Sequence, residues 1–364
     1  MDSNVKDLIY LLSCAIKNTV PLISEQMDID ALYKLAAYHH LSAVLSYSLQ
    51  SAGIQDSRIS SSIARSIRRS VIMEGEKNAL FARLEDAGIA YAPLKGAILK
   101  NYYPKFGMRE MADYDILVAA DRTGDVKDIM VSLGFTVERY DTDSNHDVYF
   151  KQPVTNFEIH RALFRNFEFE NETENFTAYY QRVWDILIKD EDNSCGYHFS
   201  NEDFYVYMLA HENKHYVRKG IGIRALLDVF VFLRYFPVLD WDHINAGLKD
   251  LGIVEFEEKI RRLSLTLFEE GTVSDEAMLD YMLGSGTYGN LSNLVSNRME
   301  RTGSKVKYVL KRLIVPIETV KRSYPYIYKH RILLPFVPII RVIRKSREGL
   351  SSVRAEINAL RKIK

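Results

Sequence analysis

The chain has 364 residues, 47% hydrophobic and 26% charged, with 48 basic and 48 acidic side chains that cancel. This is the composition of a soluble globular protein of two or three domains, and no apolar run approaches the roughly 18–20 residues that span a bilayer. Two distant cysteines, Cys14 and Cys195, exclude a disulfide framework, and the N-terminus lacks a secretory pattern, so a cytoplasmic location is expected.

Residues 1–87 read as a helical region. Leu8, Leu11, Leu12, Ala15 and Ile16 recur at helical spacing, as do Leu32, Leu35, Ala36 and His39. A longer helix is expected over 60–87, closed by Gly88 in the left-handed region. The period then changes. Residues 89–94 look extended, Lys95-Gly96 looks like a sharp turn, and 97–103 form a short helix stopped by Pro104. A loop with Gly107 and Arg109 leads to a strand at 113–118, then a helix over 122–133 ending at Gly134. Short strands follow at 135–139, 147–151 and 157–160. This series predicts an α+β core over 88–165, a small mixed sheet flanked by helical segments.

From residue 202 the pattern is helical again, with amphipathic segments at 204–217, 225–236, 243–251, 255–269 and 275–283. Together with the segment after 165 they make a helical domain over 166–290, ending in a Gly-rich linker at 284–290. The last region, 291–364, is basic: from Arg301 onward the only acids are Glu318, Glu348 and Glu356, against seventeen lysines and arginines. Such asymmetry fits an anionic partner, either RNA, a lipid surface at the inner face of the membrane, or the chain's own acidic face. Tyr324, Tyr326 and Tyr328 interleave with Arg322 and Lys329, which suits RNA. Pro335 and Pro338 interrupt any long amphipathic helix, and the apolar residues there are expected to pack on the helical domain.

The chemistry gathers in the small core. In Ala112-Asp113-Tyr114-Asp115-Ile116-Leu117-Val118 two aspartates flank one residue, and strand alternation turns both to one side. Two close carboxylates repel unless a cation lies between them, and Mg²⁺ takes oxygen ligands of this kind. Alone, Asp-x-Asp is short and common and reads more readily as a solvated strand entry. Glu158 and His160 alternate with Phe157 and Ile159 and so share a face. If that strand neighbours the first, three acids converge on one or two metal ions. Lys95-Gly96, between a strand and a helix start, suits an anion or a plain tight turn; Arg109 is a phosphate clamp or a surface arginine.

At these residues the chain resembles a known family. Leu94-Lys95-Gly96-Ala97-Ile98-Leu99 and Arg109-Glu110-Met111-Ala112-Asp113-Tyr114-Asp115-Ile116-Leu117-Val118 look like the uncharacterised nucleotidyltransferase family of bacteria, in the polymerase β-like superfamily. Phe157-Glu158-Ile159-His160 is similar to its later acid-x-His strand. His215 and Arg224-Ala225-Leu226-Leu227-Asp228 resemble its helical His and Arg-x-x-x-Asp segment, and Leu333-Leu334-Pro335-Phe336 with Arg341 its tail. The resemblance implies Mg²⁺-dependent transfer of a nucleotide from an NTP such as ATP, with Asp113 and Asp115 as metal ligands. Glu158 would be the third acid, binding metal or taking a proton. Lys95, Gly96 and Arg109 would handle phosphate, and His160, His215, Arg224 and Asp228 would face the acceptor. The acceptor itself, small molecule, protein or RNA, is left open. Many superfamily members carry Gly-Ser at the turn where this chain has Lys95-Gly96.

Two other readings compete. One is a nucleotide-binding module of the same fold without catalysis. The other is a zinc hydrolase built on His211-Glu212-Asn213-Lys214-His215, which matches His-Glu-x-x-His, with Asp228 or Glu255 as third ligand. The next residues lack the Gly-and-His extension of metzincins.

Overall fold

The computed structural model describes residues 2–141, 144–165 and 174–287. Beyond these it describes 289–290, 293–294, 296–297, 317, 320–321, 324–337 and 340. The chain opens with helices α1 (Ser3–Lys17), α2 (Ile29–Tyr38), α3 (Ser42–Ser51) and α4 (Ser57–Asp86). Asp56 caps α4 by accepting from the Arg58 amide at 2.8 Å, and Gly88 ends the turn beyond it at φ 63°, a conformation that glycine adopts without steric cost.

The sheet follows: β1 (Tyr91–Pro93), a single turn of helix α5 (Gly96–Leu99), β2 (Tyr114–Val118), α6 (Thr123–Ser132), β3 (Thr136–Arg139), β4 (His146–Lys151) and β5 (Thr155–His160). The strand order is β1-β2-β5-β4-β3. β2 and β5 run parallel, and the other pairs are antiparallel, so the sheet is mixed. The expected α+β class is therefore the observed one. The parallel pair sits at the centre because the crossover through α6 and the β3–β4 hairpin returns β5 beside β2.

Two short helices, α7 (Glu174–Tyr179) and α8 (Val183–Ile186), and a small ribbon of β6 (Ile188–Lys189) and β7 (Tyr197–His198) lead to the helical part. Its members are α9 (Asn201–Lys219), α10 (Arg224–Tyr235), α11 (Trp241–Leu251), α12 (Val254–Leu265) and α13 (Glu276–Ser285). α12 runs on into a π-helical turn over Thr266–Glu270, which the uninterrupted periodicity of 255–269 does not signal.

The two faces of the sheet meet different cores. Tyr114, Ile116 and Val118 of β2 and Phe157 and Ile159 of β5 pack against Met73, Leu80 and Leu84 of α4 and Val126 and Met130 of α6. There the Tyr114 and Phe157 rings stack at 5.5 Å, a pair worth about 0.5–1.5 kcal/mol beyond its buried area. Leu117, of opposite parity, joins the larger core instead. That core unites the N-terminal helices with α9 to α13, including Leu8, Leu45, Leu209, Leu226 and Phe230. The helices before and after the sheet thus share one interior.

No described helix is long and apolar enough to cross a membrane. Of the basic C-terminal region, Pro325–Lys329 is helical and Arg331–Phe336 is a 3-10 turn. Val320, Ile327 and Val337 make a small core of their own, with Leu333 and Leu334 against it. Most of the basic residues, Arg341 among them, lie outside the described residues, as does Pro338.

Candidate active site

Strand pairing brings the acids together. Asp115 of β2 stands in register with Glu158 of β5 on the adjacent parallel strand. Because Tyr114, Ile116, Phe157 and Ile159 fill the core beneath, Asp115, Glu158 and His160 project from the opposite face, toward α9. Asp113 lies one residue before β2, at the end of a loop that α4 secures. Arg69 donates to the Ala112 carbonyl at 2.6 Å, and Ser66 to that of Gly107 at 2.6 Å.

The charges define a shared field. Asp115 Oδ1 accepts from Lys95 Nζ at 2.6 Å and from His160 Nε2 at 2.8 Å. Burial works to raise the Asp115 pKa, but Lys95 and His160 outweigh it and hold the carboxyl well below the usual range. Asp113 goes the other way, pushed up to about 6 by burial and then by repulsion from Asp115 and Glu158. Burial opposes the charge of Lys95 too, yet Asp115 keeps its pKa above the ordinary lysine value. Glu158 Oε2 lies 3.5 Å from His146 Nε2 and 3.7 Å from His160 Nε2. The three expected acids and Lys95 therefore meet electrostatically at one place.

Lys95 is delivered by the expected sharp turn, between β1 and the start of α5. Lys95 itself takes the positive φ, 46°, a conformation costly for a residue with a Cβ. Gly96 is needed for a different reason: a Cβ there would stand 2.5 Å from Arg109 Nη1 and 3.0 Å from Met111 Cε. The glycine makes room for protein side chains, and α5 behind it is a single turn.

The model of a family described as uncharacterised nucleotidyltransferase matches residues 25–269. The chain belongs to this family. Comparison with curated proteins and with solved structures found no match. The matched span holds the acids, bases and cations of this site and stops before the basic C-terminal region.

Arg109 has a place other than an open phosphate clamp. Its Nε and Nη2 donate to Asp228 Oδ1 and Oδ2 at 2.8 and 2.9 Å, and Tyr103 Oη donates to Oδ1 at 2.8 Å. Arg109 and Asp228 are buried, and the remaining Nη1 meets Met111 Sδ at 3.1 Å. The guanidinium fork is filled by the carboxylate rather than open to an anion. Together they tie the loop before β2 to α10. Arg224, at the start of α10, stays half-buried and lowers the pKa of Asp113, Glu212 and Asp228, which places its charge near the site.

α9 forms the wall opposite the acids. Burial raises the pKa of the Tyr207 hydroxyl, which also feels Lys95, Asp115 and Glu158. His211 and His215 follow at one-turn spacing with their Nε2 atoms 3.0 Å apart. Burial, then neighbouring cations, keep both neutral, His215 down to about 3. Glu212 is pushed up to about 7 by burial and by Asp228, against Arg224, Arg109 and Lys95.

Among the described residues the zinc-hydrolase arrangement has no third ligand. Asp228 is held by Arg109, and Glu255 is an exposed partner of Lys259 at 2.7 Å. Among the described residues the one group of three or more metal-ligating side chains is His146, Glu158 and His160, with one ligand atom from each within 4.8 Å of the others. His146 escaped notice in the sequence because the strand seemed to begin at 147. It pairs with His160 across β4 and β5, and the alternation His146, Val148, Phe150 is the signal that could have exposed it. A cavity of about 790 Å³ elsewhere, lined by Asn213, Tyr216, Glu255, Lys259 and Tyr281, includes none of Asp113, Asp115 and Glu158.

Proposed function

We propose that the protein transfers a nucleoside monophosphate from an NTP to an acceptor hydroxyl and releases pyrophosphate, in a Mg²⁺-dependent reaction. The observation that carries this reading is the register of Asp115 with Glu158, with Asp113 in their common field. The donor set suits the ion. Asp113 and Asp115 offer only oxygen, and their mutual repulsion is now offset by the Lys95 ammonium and by the imidazole of His160. Bound by Asp113, Asp115 and Glu158, Mg²⁺ would neutralise charge on the phosphoryl oxygens and the leaving pyrophosphate.

The chain's own groups supply the rest. Lys95 Nζ pairs with Asp115 at 2.6 Å and is placed to exchange that carboxylate for the β- or γ-phosphate. The acceptor oxygen forms a bond to the α-phosphorus as the bond to the pyrophosphate oxygen breaks. Its proton passes to Glu158. The acceptor enters between the sheet and α9, where the neutral imidazoles of His211 and His215, with Tyr207 and Arg224, offer hydrogen bonds. His160 stays with the acids rather than on the acceptor side, because its Nε2 is bound to Asp115.

With an acceptor pool from cell extract and each of the four NTPs, pyrophosphate release is expected with one or more nucleotides in the presence of Mg²⁺. Chelation by EDTA should stop it. Mg²⁺-dependent NTP binding without any pyrophosphate release would favour a binding module of the same fold.

A further inference from the structure

The two halves of the acid cluster offer different chemistry. On the Asp113 and Asp115 side the donors are oxygen. On the Glu158 side they are a carboxylate between two imidazoles. We propose that His146, Glu158 and His160 form a separate site for a borderline divalent ion of the Zn²⁺ or Co²⁺ class, beside the oxygen-only position suited to Mg²⁺.

The spacing fits. A tetrahedral ion with bonds of about 2.0–2.1 Å sets its ligand atoms roughly 3.4 Å apart. Here Glu158 Oε2 stands 3.5 Å from His146 Nε2 and 3.7 Å from His160 Nε2. The two rings lie 4.9 Å apart, centroid to centroid, on residues paired across adjacent antiparallel strands. A rigid sheet thus presets all three donors. Two imidazoles and one carboxylate favour a softer ion over Mg²⁺, which prefers an all-oxygen octahedron.

A second contact fixes the tautomer. His146 Nδ1 donates to Oδ1 of the buried Asn145 at 3.1 Å, which leaves the Nε2 lone pair facing Glu158. At present the exposed side chain of Arg139 donates to that lone pair. The guanidinium would swing into solvent when an ion arrives. His160 Nε2 now donates to Asp115 Oδ1, and its Nδ1, buried without a hydrogen-bond partner among the described residues, would take the proton when Nε2 binds the ion. Asp115 Oδ1, 2.8 Å from that nitrogen, is placed to complete a fourth position.

The site shares Glu158 and Asp115 with the proposed transfer reaction but is read without it. The full-length protein, stripped with chelator, is titrated with Co²⁺ while the visible d–d absorption is followed, with Mg²⁺ in excess. One tightly bound Co²⁺ with a nitrogen-ligated spectrum is expected. His146→Ala should weaken it on the order of 100-fold or more, Asn145→Ala by about 10–100-fold, with the thermal unfolding midpoint of each kept as a check on folding. His211→Ala should leave it unchanged, since the α9 histidines are not ligands. Absence of Co²⁺ binding, an unaltered spectrum in His146→Ala, or loss of the spectrum in His211→Ala would overturn the proposal. None of these results depends on whether nucleotide is transferred.

Discussion

Asp115→Asn is expected to lower nucleotidyl transfer by about three orders of magnitude while leaving a folded protein. The carboxylate is the hub of the site, holding Lys95 at 2.6 Å and His160 at 2.8 Å and facing Glu158 across the strand pair. Removal of one metal-holding carboxylate costs several kcal/mol of transition-state stabilisation, and each 1.4 kcal/mol is tenfold in rate. The fold should survive because asparagine is nearly isosteric and can still accept from Lys95. Circular dichroism and the unfolding midpoint check this, with steady-state transfer as the main readout. A variant that keeps more than a tenth of the activity would remove Asp115 from the metal site.

The second large effect concerns stability. Arg109→Ala or Asp228→Ala should each destabilise the protein by about 3–5 kcal/mol, because each leaves an uncompensated buried charge. The geometry behind this is bidentate, with two bonds of 2.8 and 2.9 Å, and Tyr103 adds a third to the same carboxylate. The paired change Arg109→Met with Asp228→Leu should cost less than either single loss, since no lone charge remains. Urea unfolding measures all three. If Arg109→Ala left stability within about 1 kcal/mol and instead raised KM for the NTP, Arg109 would be a phosphate clamp after all.

The contrast between these two sets of residues shows what the sequence made legible. The alternation of Phe157-Glu158-Ile159-His160 and the aliphatic run after Asp115 reveal which side chains share a face. Both are local properties, and the structure finds both strands, adjacent and in register. The pairing of Arg109 is not legible locally, because its partner lies 119 positions away on α10. Nothing near Arg109 distinguishes a buried pair from a phosphate contact.

Long-range packing also explains the glycine. Lys95 carries the positive φ of the turn, and Gly96 yields space to Arg109 and Met111. His146 was missed for a narrower reason, a strand boundary placed one residue late, which hid its pairing with His160. Helix positions from 201 to 285 follow their amphipathic period closely. That N-terminal and C-terminal helices share one core does not follow from any single helix's pattern.

The charge of the C-terminal region lies mostly outside the described residues and beyond the span the family model matches.

The most direct test follows the phosphorus. The protein is incubated with Mg²⁺ and cell extract, with ATP labelled at the α-phosphate in one sample and at the γ-phosphate in another, and likewise for the other NTPs. Nucleotidyl transfer predicts that α-label becomes attached to an acceptor while γ-label leaves as pyrophosphate, and that both outcomes vanish in Asp115→Asn. Transfer of γ-label to an acceptor, or α-label transfer that persists in Asp115→Asn, would contradict it.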